Sequence, residues 1–272
     1  MKQILLTFLL LCLGWNAASA QCGGTNTAFS DGETLDFDLY FNWSFVWVKV
    51  GTAKWEVKQT TYAGKPAYRT YLITSTNRRA DKFFVMRDTL TAYTTTGLVP
   101  LAFNKHAHEG LYYRVDDVRY SYSGGKCTVD MTVNKNYRGN ERKQATFSTC
   151  VYDMVSMMLR ARSYDVTDWR PGTRQYFNIA DGGGTSRQSI VFRGRQNVKL
   201  DKMSETYRCL VFSFMEKEDG KEKEIVKFFI SDDANHLPIR LDMNLSFGTA
   251  KAFLNRAAGV RNPQSALLPR KK

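Results

Sequence analysis

The sequence predicts an all-β fold with one main helix, built as a curled antiparallel sheet or β-barrel of about a dozen strands. Apolar and polar residues alternate with period two through most of the chain, and Gly, Asn and Asp punctuate the runs at short intervals. Only the stretch 150–165 has helical spacing. An open sheet of a dozen strands would leave long unpaired edges, which closure removes.

Residues 1–20, "MKQILLTFLLLCLGWNAASA", read as a secretory signal: one Lys, an apolar run from Ile4 to Leu13, then Ala18 and Ala20 before Gln21. The run is about half of the roughly 20 residues a membrane span needs, so no transmembrane anchor is expected after cleavage. Gln21 precedes Cys22 where lipidation requires a small residue. Residues 21–254 follow as a single domain without a linker or internal repeat. The basic tail 255–272 is expected to be disordered, because "RNPQSALLPRKK" has turn formers and charge but no apolar periodicity.

From Leu35 the odd positions read Leu35, Phe37, Leu39, Phe41, Trp43, Phe45 and Trp47, the inner face of one long strand. Trp55 continues that register beyond Gly51, where a bend or hairpin is expected. Strands follow at 67–75, 85–94, 101–108, 112–122, 127–133 and 143–148. After the helix come 175–180, 188–193, 206–216, 222–231 and 238–244.

On a helical wheel Asp153, Ser156 and Arg160 share one side, and Met154, Val155, Met157, Met158, Leu159 and Ala161 fill a broad apolar arc, so the helix is mostly buried. Asp153 and Arg160 lie two turns, about 10 Å, apart. They cannot pair with each other, and each is expected to anchor the helix through a strand residue. An acid in the first turn and Arg160 and Arg162 in the last also suit the helix dipole.

Past the signal stand Cys22, Cys127, Cys150 and Cys209, an even number that suggests disulfides in an oxidising compartment. A hairpin turn centred between Arg138 and Gly139 would set Cys127 opposite Cys150, within disulfide range. The chain carries 39 Lys and Arg against 26 Asp and Glu, scattered without a long basic run. For an exported protein such a surface meets acidic glycolipid, glycan or lipid head groups, and no nucleic acid.

Three other constellations yield structure rather than chemistry. His106 and His108 share a strand face with Glu109 next to them and form at most a weak metal site, since a metal would need at least one further ligand from another strand. "ADGGGTSR" joins two strands and does not lead into a helix as a phosphate loop must. "EKEDGKEKE" reads as an exposed hairpin turning at Asp219 and Gly220.

Several segments together resemble an exported bacterial family of unknown function, common in Gram-negative envelopes: "FSDGETLDFDLYFNW", "FFVMRDTLTAYTTTGLVPLAF", "EGLYYRVDDVRYSY", "DMVSMMLRAR" and "ISDDANHLPIRLDM". The resemblance implies a barrel-like periplasmic fold with the helix packed on it and no established reaction. Gly32, Glu33, Arg87, Asp88, Pro100, Asp153, Ser156, Arg160, Asp232, Asp233, Pro238 and Arg240 carry its pattern.

The expected function is therefore non-enzymatic binding or assembly in the envelope by a monomer without a cofactor. An amphiphilic lipid, lipopolysaccharide or glycan would lie against Phe41, Trp43, Trp47, Trp55 and Arg87. The alternatives are a packed scaffold without ligand and a carboxylate-dependent hydrolase using Asp232 and Asp233, which as strand neighbours would point apart unless they sit in a turn.

Overall fold

The computed structural model describes residues 22–43, 46–200, 205–218, 220–245 and 248–269; the signal expected at 1–20 lies outside them. Strands β1 (Thr34–Trp43), β2 (Val46–Tyr62), β3 (Lys65–Thr76), β4 (Met86–Thr95), β5 (Pro100–Glu109), β6 (Tyr112–Ser123), β7 (Lys126–Lys135) and β8 (Asn140–Phe147) form a continuous meander. The short β9 (Val151–Tyr152) leads into helix α1 (Met154–Arg162). Strands β10 (Arg174–Ala180), β11 (Thr185–Leu200), β12 (Glu205–Glu218), β13 (Lys221–Ser231), β14 (Pro238–Leu245) and β15 (Gly248–Ala258) form a second meander. β15 pairs with β1, joining the two, and β16 (Leu267–Leu268) adds a rung to β12.

The result is one nearly closed, barrel-like sheet whose path ends at β8 and β9, which are consecutive in the chain. Side chains bridge this seam. The β10–β11 turn reaches across it, with Lys143 Nζ donating to Gly183 O (2.7 Å) and Arg114 Nη2 to Asp181 O (2.8 Å). "ADGGGTSR" is thus a turn, and one of its glycines has a steric purpose. Gly182 has φ +84°, and a Cβ there would stand 2.6 Å from Asp116 Cβ.

Every hairpin of the meander alternates ends. One end collects the β2–β3, β4–β5, β6–β7 and β13–β14 turns, the other the β1–β2, β3–β4, β5–β6, β7–β8 and β14–β15 turns. The first end is closed by α1 and the segment 22–33. Val155 and Leu159 of α1, with Ala28 and Phe29, join the inner faces of the strands in one continuous core. Each fully buried aliphatic contributes roughly 1.5–3 kcal/mol. The other side of α1 and the following loop pack outside the sheet, where Met157 meets Phe177 and Ile190, and Val166 meets Phe192 and Phe212.

Four expectations need correction. The alternation from Leu35 to Trp47 is two strands and not one: the chain reverses between Trp43 and Val46, the register with β2 shifts after Leu39, and Tyr40 is buried beside Phe253. Gly51 lies inside β2, against β3. The disulfide joins Cys22 to Cys150 (Cα–Cα 5.0 Å), not Cys127 to Cys150. The β7–β8 turn is centred on Tyr137, with Asn136 and Tyr137 in left-handed conformation, so Cys127 faces Phe147 and Cys150 lies beyond the ladder. The segment expected to be disordered from 255 is held as far as 269. β15 runs to Ala258, Asn235 Nδ2 donates to Asn262 O (2.8 Å), and Ala266 is fully buried.

Candidate functional site

At the helix end, Asp153 is the N-cap of α1. Its Oδ1 accepts from Ser156 N (2.8 Å) while Ser156 Oγ accepts from Asp153 N (3.1 Å), a reciprocal capping box that satisfies orphan helix donors. Both residues are fully buried. Burial pushes the Asp153 carboxyl up to about 6, against the lowering effect of the Ser156 bonds. Tyr120 of β6 donates to Asp153 Oδ2 at 3.5 Å, a strand partner of the kind the helix wheel required. Arg160 stacks on Tyr164 at 4.9 Å and presses against Gly24, where a Cβ would come within 2.5 Å of its Nη1.

The residue that sequence reasoning underrated is Arg162. Only 5% exposed, it makes a bidentate ion pair with fully buried Glu33 (2.5 and 2.8 Å) and donates to Asn235 O at 3.0 Å. His236 Nδ1 lies 2.6 Å from Arg162 O, which fixes the proton on Nδ1, because a carbonyl can only accept. Glu33, the helix and the β13–β14 turn are thereby locked together. The available signal was Glu33, an acid in the family pattern with no cation near it in sequence.

Asp232 and Asp233 do sit in a turn, between β13 and β14. Asp232 accepts from Arg195 and Arg208, while Asp233 accepts from Ser231 Oγ, Asn235 N and Ala266 N. Their separate engagements hold a turn and do not form a carboxylate pair. His106 and His108 are exposed, and the described residues contain no group of three or more His, Cys, Asp and Glu placed to hold a metal.

Just inside the opposite end, Asp88 of β4 stands near Glu109 and Lys105 of β5. Burial, reinforced by the Glu109 charge, pushes Asp88 up to about 7, and its Oδ1 is buried without a hydrogen-bond partner. Deeper lies Asp116, held by Arg114 Nε at 2.8 Å. These groups make the inner mouth polar.

The outer rim of that end is different. Twelve large hydrophobic residues are exposed among the described residues, and eight of them stand on its turns: Val46, Trp47 and Val48, then Phe83 and Phe84, then Leu111, Tyr137 and Leu245. Neighbouring turns touch. Lys251 Nζ stacks on Trp47 at 4.3 Å, Asn77 Nδ2 donates to Lys49 O, Phe84 covers Gly110, and Tyr113 stacks on Tyr137 at 4.5 Å. A depression of about 320 Å³ opens between His108, Leu111 and Tyr137. Cations accompany the rings: Lys251 at Trp47, Arg78, Arg79 and Lys82 beside the phenylalanines, and Arg138 after Tyr137.

The five ligand candidates are not brought together. Trp55 is 2% exposed in the core, its Nε1 without a partner. Arg87 points outward and pairs with Asp81 at 2.6 Å. Phe41 packs on Gly248, and Trp47 is on the rim. The side chain of Trp43 lies outside what is described. The inner barrel face expected to hold a ligand is thus occupied by core packing, and the rim, with neither strand nor helix periodicity, escaped notice.

Residues 36–255 match the family profile "Protein of unknown function (DUF3108)". The chain belongs to this family. Its fold is similar to that of a beta-barrel-like protein of the DUF1849 domain of unknown function from Brucella abortus (TM-score 0.53, 10% identity, 85% of this chain and 98% of that one). A protein with a YmcC-like fold from Bacteroides fragilis shows a more distant likeness (TM-score 0.34, 7% identity, 86% of this chain and 99% of that one). No curated protein matches significantly. Within this DUF3108 chain no described helix is long and apolar enough to cross a membrane.

Proposed function

We propose that this is an exported, non-enzymatic protein of the periplasmic envelope that binds an amphiphile, a lipid or a lipopolysaccharide-type glycolipid, at its hairpin rim and not inside the barrel. The observation that carries the reading is the gathering of exposed apolar side chains and cations at the end opposite α1. Contiguous exposed apolar surface on a monomer marks an interaction site. The interior core, continuous from β1 through β7 to α1, leaves the aromatic inner face to packing. The Cys22–Cys150 bond suits an oxidising compartment.

The filled core also favours a second reading, a packed scaffold that takes no ligand. Fluorescence titration with fatty acids, detergent monomers and lipopolysaccharide fragments separates the two. Rim binding predicts saturation in the micromolar range that Leu111→Ser and Tyr137→Ser weaken without lowering the melting temperature. No response to any amphiphile leaves the scaffold.

A further inference from the structure

The β3–β4 loop, "NRRADKFFVMR" (77–87), combines two exposed phenylalanines with four cations and a single acid. We propose that it docks the barrel on the surface of an anionic phospholipid bilayer, an inference that rests on the rim being the amphiphile-binding end. Phe83 is 75% exposed and Phe84 is also exposed, next to three exposed cations, Arg78, Arg79 and Lys82. None of the three pairs with a carboxylate among the described residues.

The loop is built to hold this shape. Asn77 Oδ1 accepts from Arg79 N and Ala80 N, opening a single 3-10 turn, Ala80–Lys82. Asp81 at its centre accepts from Thr76 Oγ1 at 2.5 Å and from both terminal nitrogens of Arg87, at 3.1 and 2.6 Å. Arg87 therefore neutralises the loop's carboxylate and fixes the base of the turn, leaving three cations uncompensated around two rings.

The geometry favours a bilayer over a single bound chain. A lone acyl chain needs a concave slot that covers most of its surface, whereas these rings project from a turn. Projecting rings flanked by Lys and Arg match the boundary between head groups and acyl chains. Leu111, wholly exposed, projects from the adjacent turn, and Phe84 lies against Gly110 at its root, so the exposed side chains of the two turns are neighbours. On the far side the β10–β11 turn carries only the acid Asp181 and the β12–β13 turn mixes acids with bases, so neither extends the cationic edge formed by the β3–β4 loop.

Each cation near an anionic surface is worth roughly five-fold in affinity at low salt, so three together give on the order of 100-fold. The test is co-sedimentation of the mature protein with phosphatidylglycerol-containing vesicles and with pure phosphatidylcholine vesicles. The expected result is salt-sensitive binding to the former, reduced about 100-fold by R78Q/R79Q/K82Q and at least about ten-fold by F83S/F84S. Unchanged melting temperatures would verify the fold of both variants. Vesicle binding that survives both variants overturns the loop assignment. Binding of detergent monomers without any vesicle binding overturns the bilayer proposal and leaves the rim reading standing, whereas binding of neither removes both.

Discussion

Arg162 at the end of the helix and Glu33 at the entry to the first strand, 129 residues apart in sequence, form a buried bidentate ion pair. Two charges out of water are tolerable only together. Arg162→Met or Glu33→Leu alone should cost about 3–5 kcal/mol, because each leaves its partner charged and buried. The double variant R162M/E33L should lose less than either single change. Urea unfolding of the three variants measures this directly, and additive losses would show that the pair is not coupled.

Arg160 provides the internal contrast. It is partly exposed and stacks on Tyr164, so Arg160→Ala should cost clearly less than Arg162→Ala. The ranking, read from melting temperatures, would be reversed if Arg160 were the main anchor of the helix.

The pH dependence follows from Asp153. Its carboxyl holds a proton up to about pH 6 when folded, against 3.8 ordinarily. The folded state therefore binds more protons between these values, and stability from this group is fully present below pH 3.8 and lost as pH rises through 6. The loss is on the order of 3 kcal/mol. Asp153→Asn keeps a good N-cap and cannot titrate. The stability of wild type minus that of the variant in urea unfolding should fall from pH 4 through pH 6 and then level off, and a difference flat across that range would place the proton elsewhere.

Most of the strand order was legible because a sheet with one face on a core imposes period two on the sequence. Strands β3 to β7, β10 and β12 to β14 lie within a few residues of where alternation puts them. β15 was not legible: "GTAKAFLNRAAG" is rich in Ala, and its place is set by β1 and β14 on either side. The β1–β2 reversal has no Gly or Pro to mark it. The disulfide was missed because the turn uses Asn136 and Tyr137 in left-handed conformation where Gly139 was the obvious candidate. The polar helix residues were found by the wheel, but the partners of Arg162 depend on long-range closure that no local pattern encodes. The rim is a property of turns gathered by topology, so each of its side chains looks incidental along the chain.

The cysteines make a chemical prediction. Non-reducing peptide mapping should link Cys22 to Cys150, with Cys127 and Cys209 as thiols that alkylating reagents reach only after unfolding, since both are buried. Burial also pushes the Cys209 thiol up to about 12, which keeps it unreactive at neutral pH. Cys22→Ser should cost about 2–4 kcal/mol by releasing the N-terminal segment from the helix end. Rapid labelling of Cys127 in the native protein would contradict this arrangement.

Gly182 tests the seam. A Cβ there meets Asp116 and must adopt a positive φ, so Gly182→Ala should destabilise by more than 1 kcal/mol, whereas Gly184→Ala, with open space around its Cβ, should be nearly neutral. Equal effects of the two changes would mean that the β10–β11 turn does not close the sheet.

Rim binding is tested most directly by quenching of single tryptophans with a brominated fatty acid, which acts only on rings in contact with the acyl chain. Trp47 stands on the rim and Trp55 in the core, so the two report on different sites. Binding at the rim predicts that quenching is strong in the wild type, largely lost in Trp47→Phe, and unchanged in Trp55→Phe. Quenching that persists in Trp47→Phe and disappears in Trp55→Phe would mean that the ligand enters the barrel.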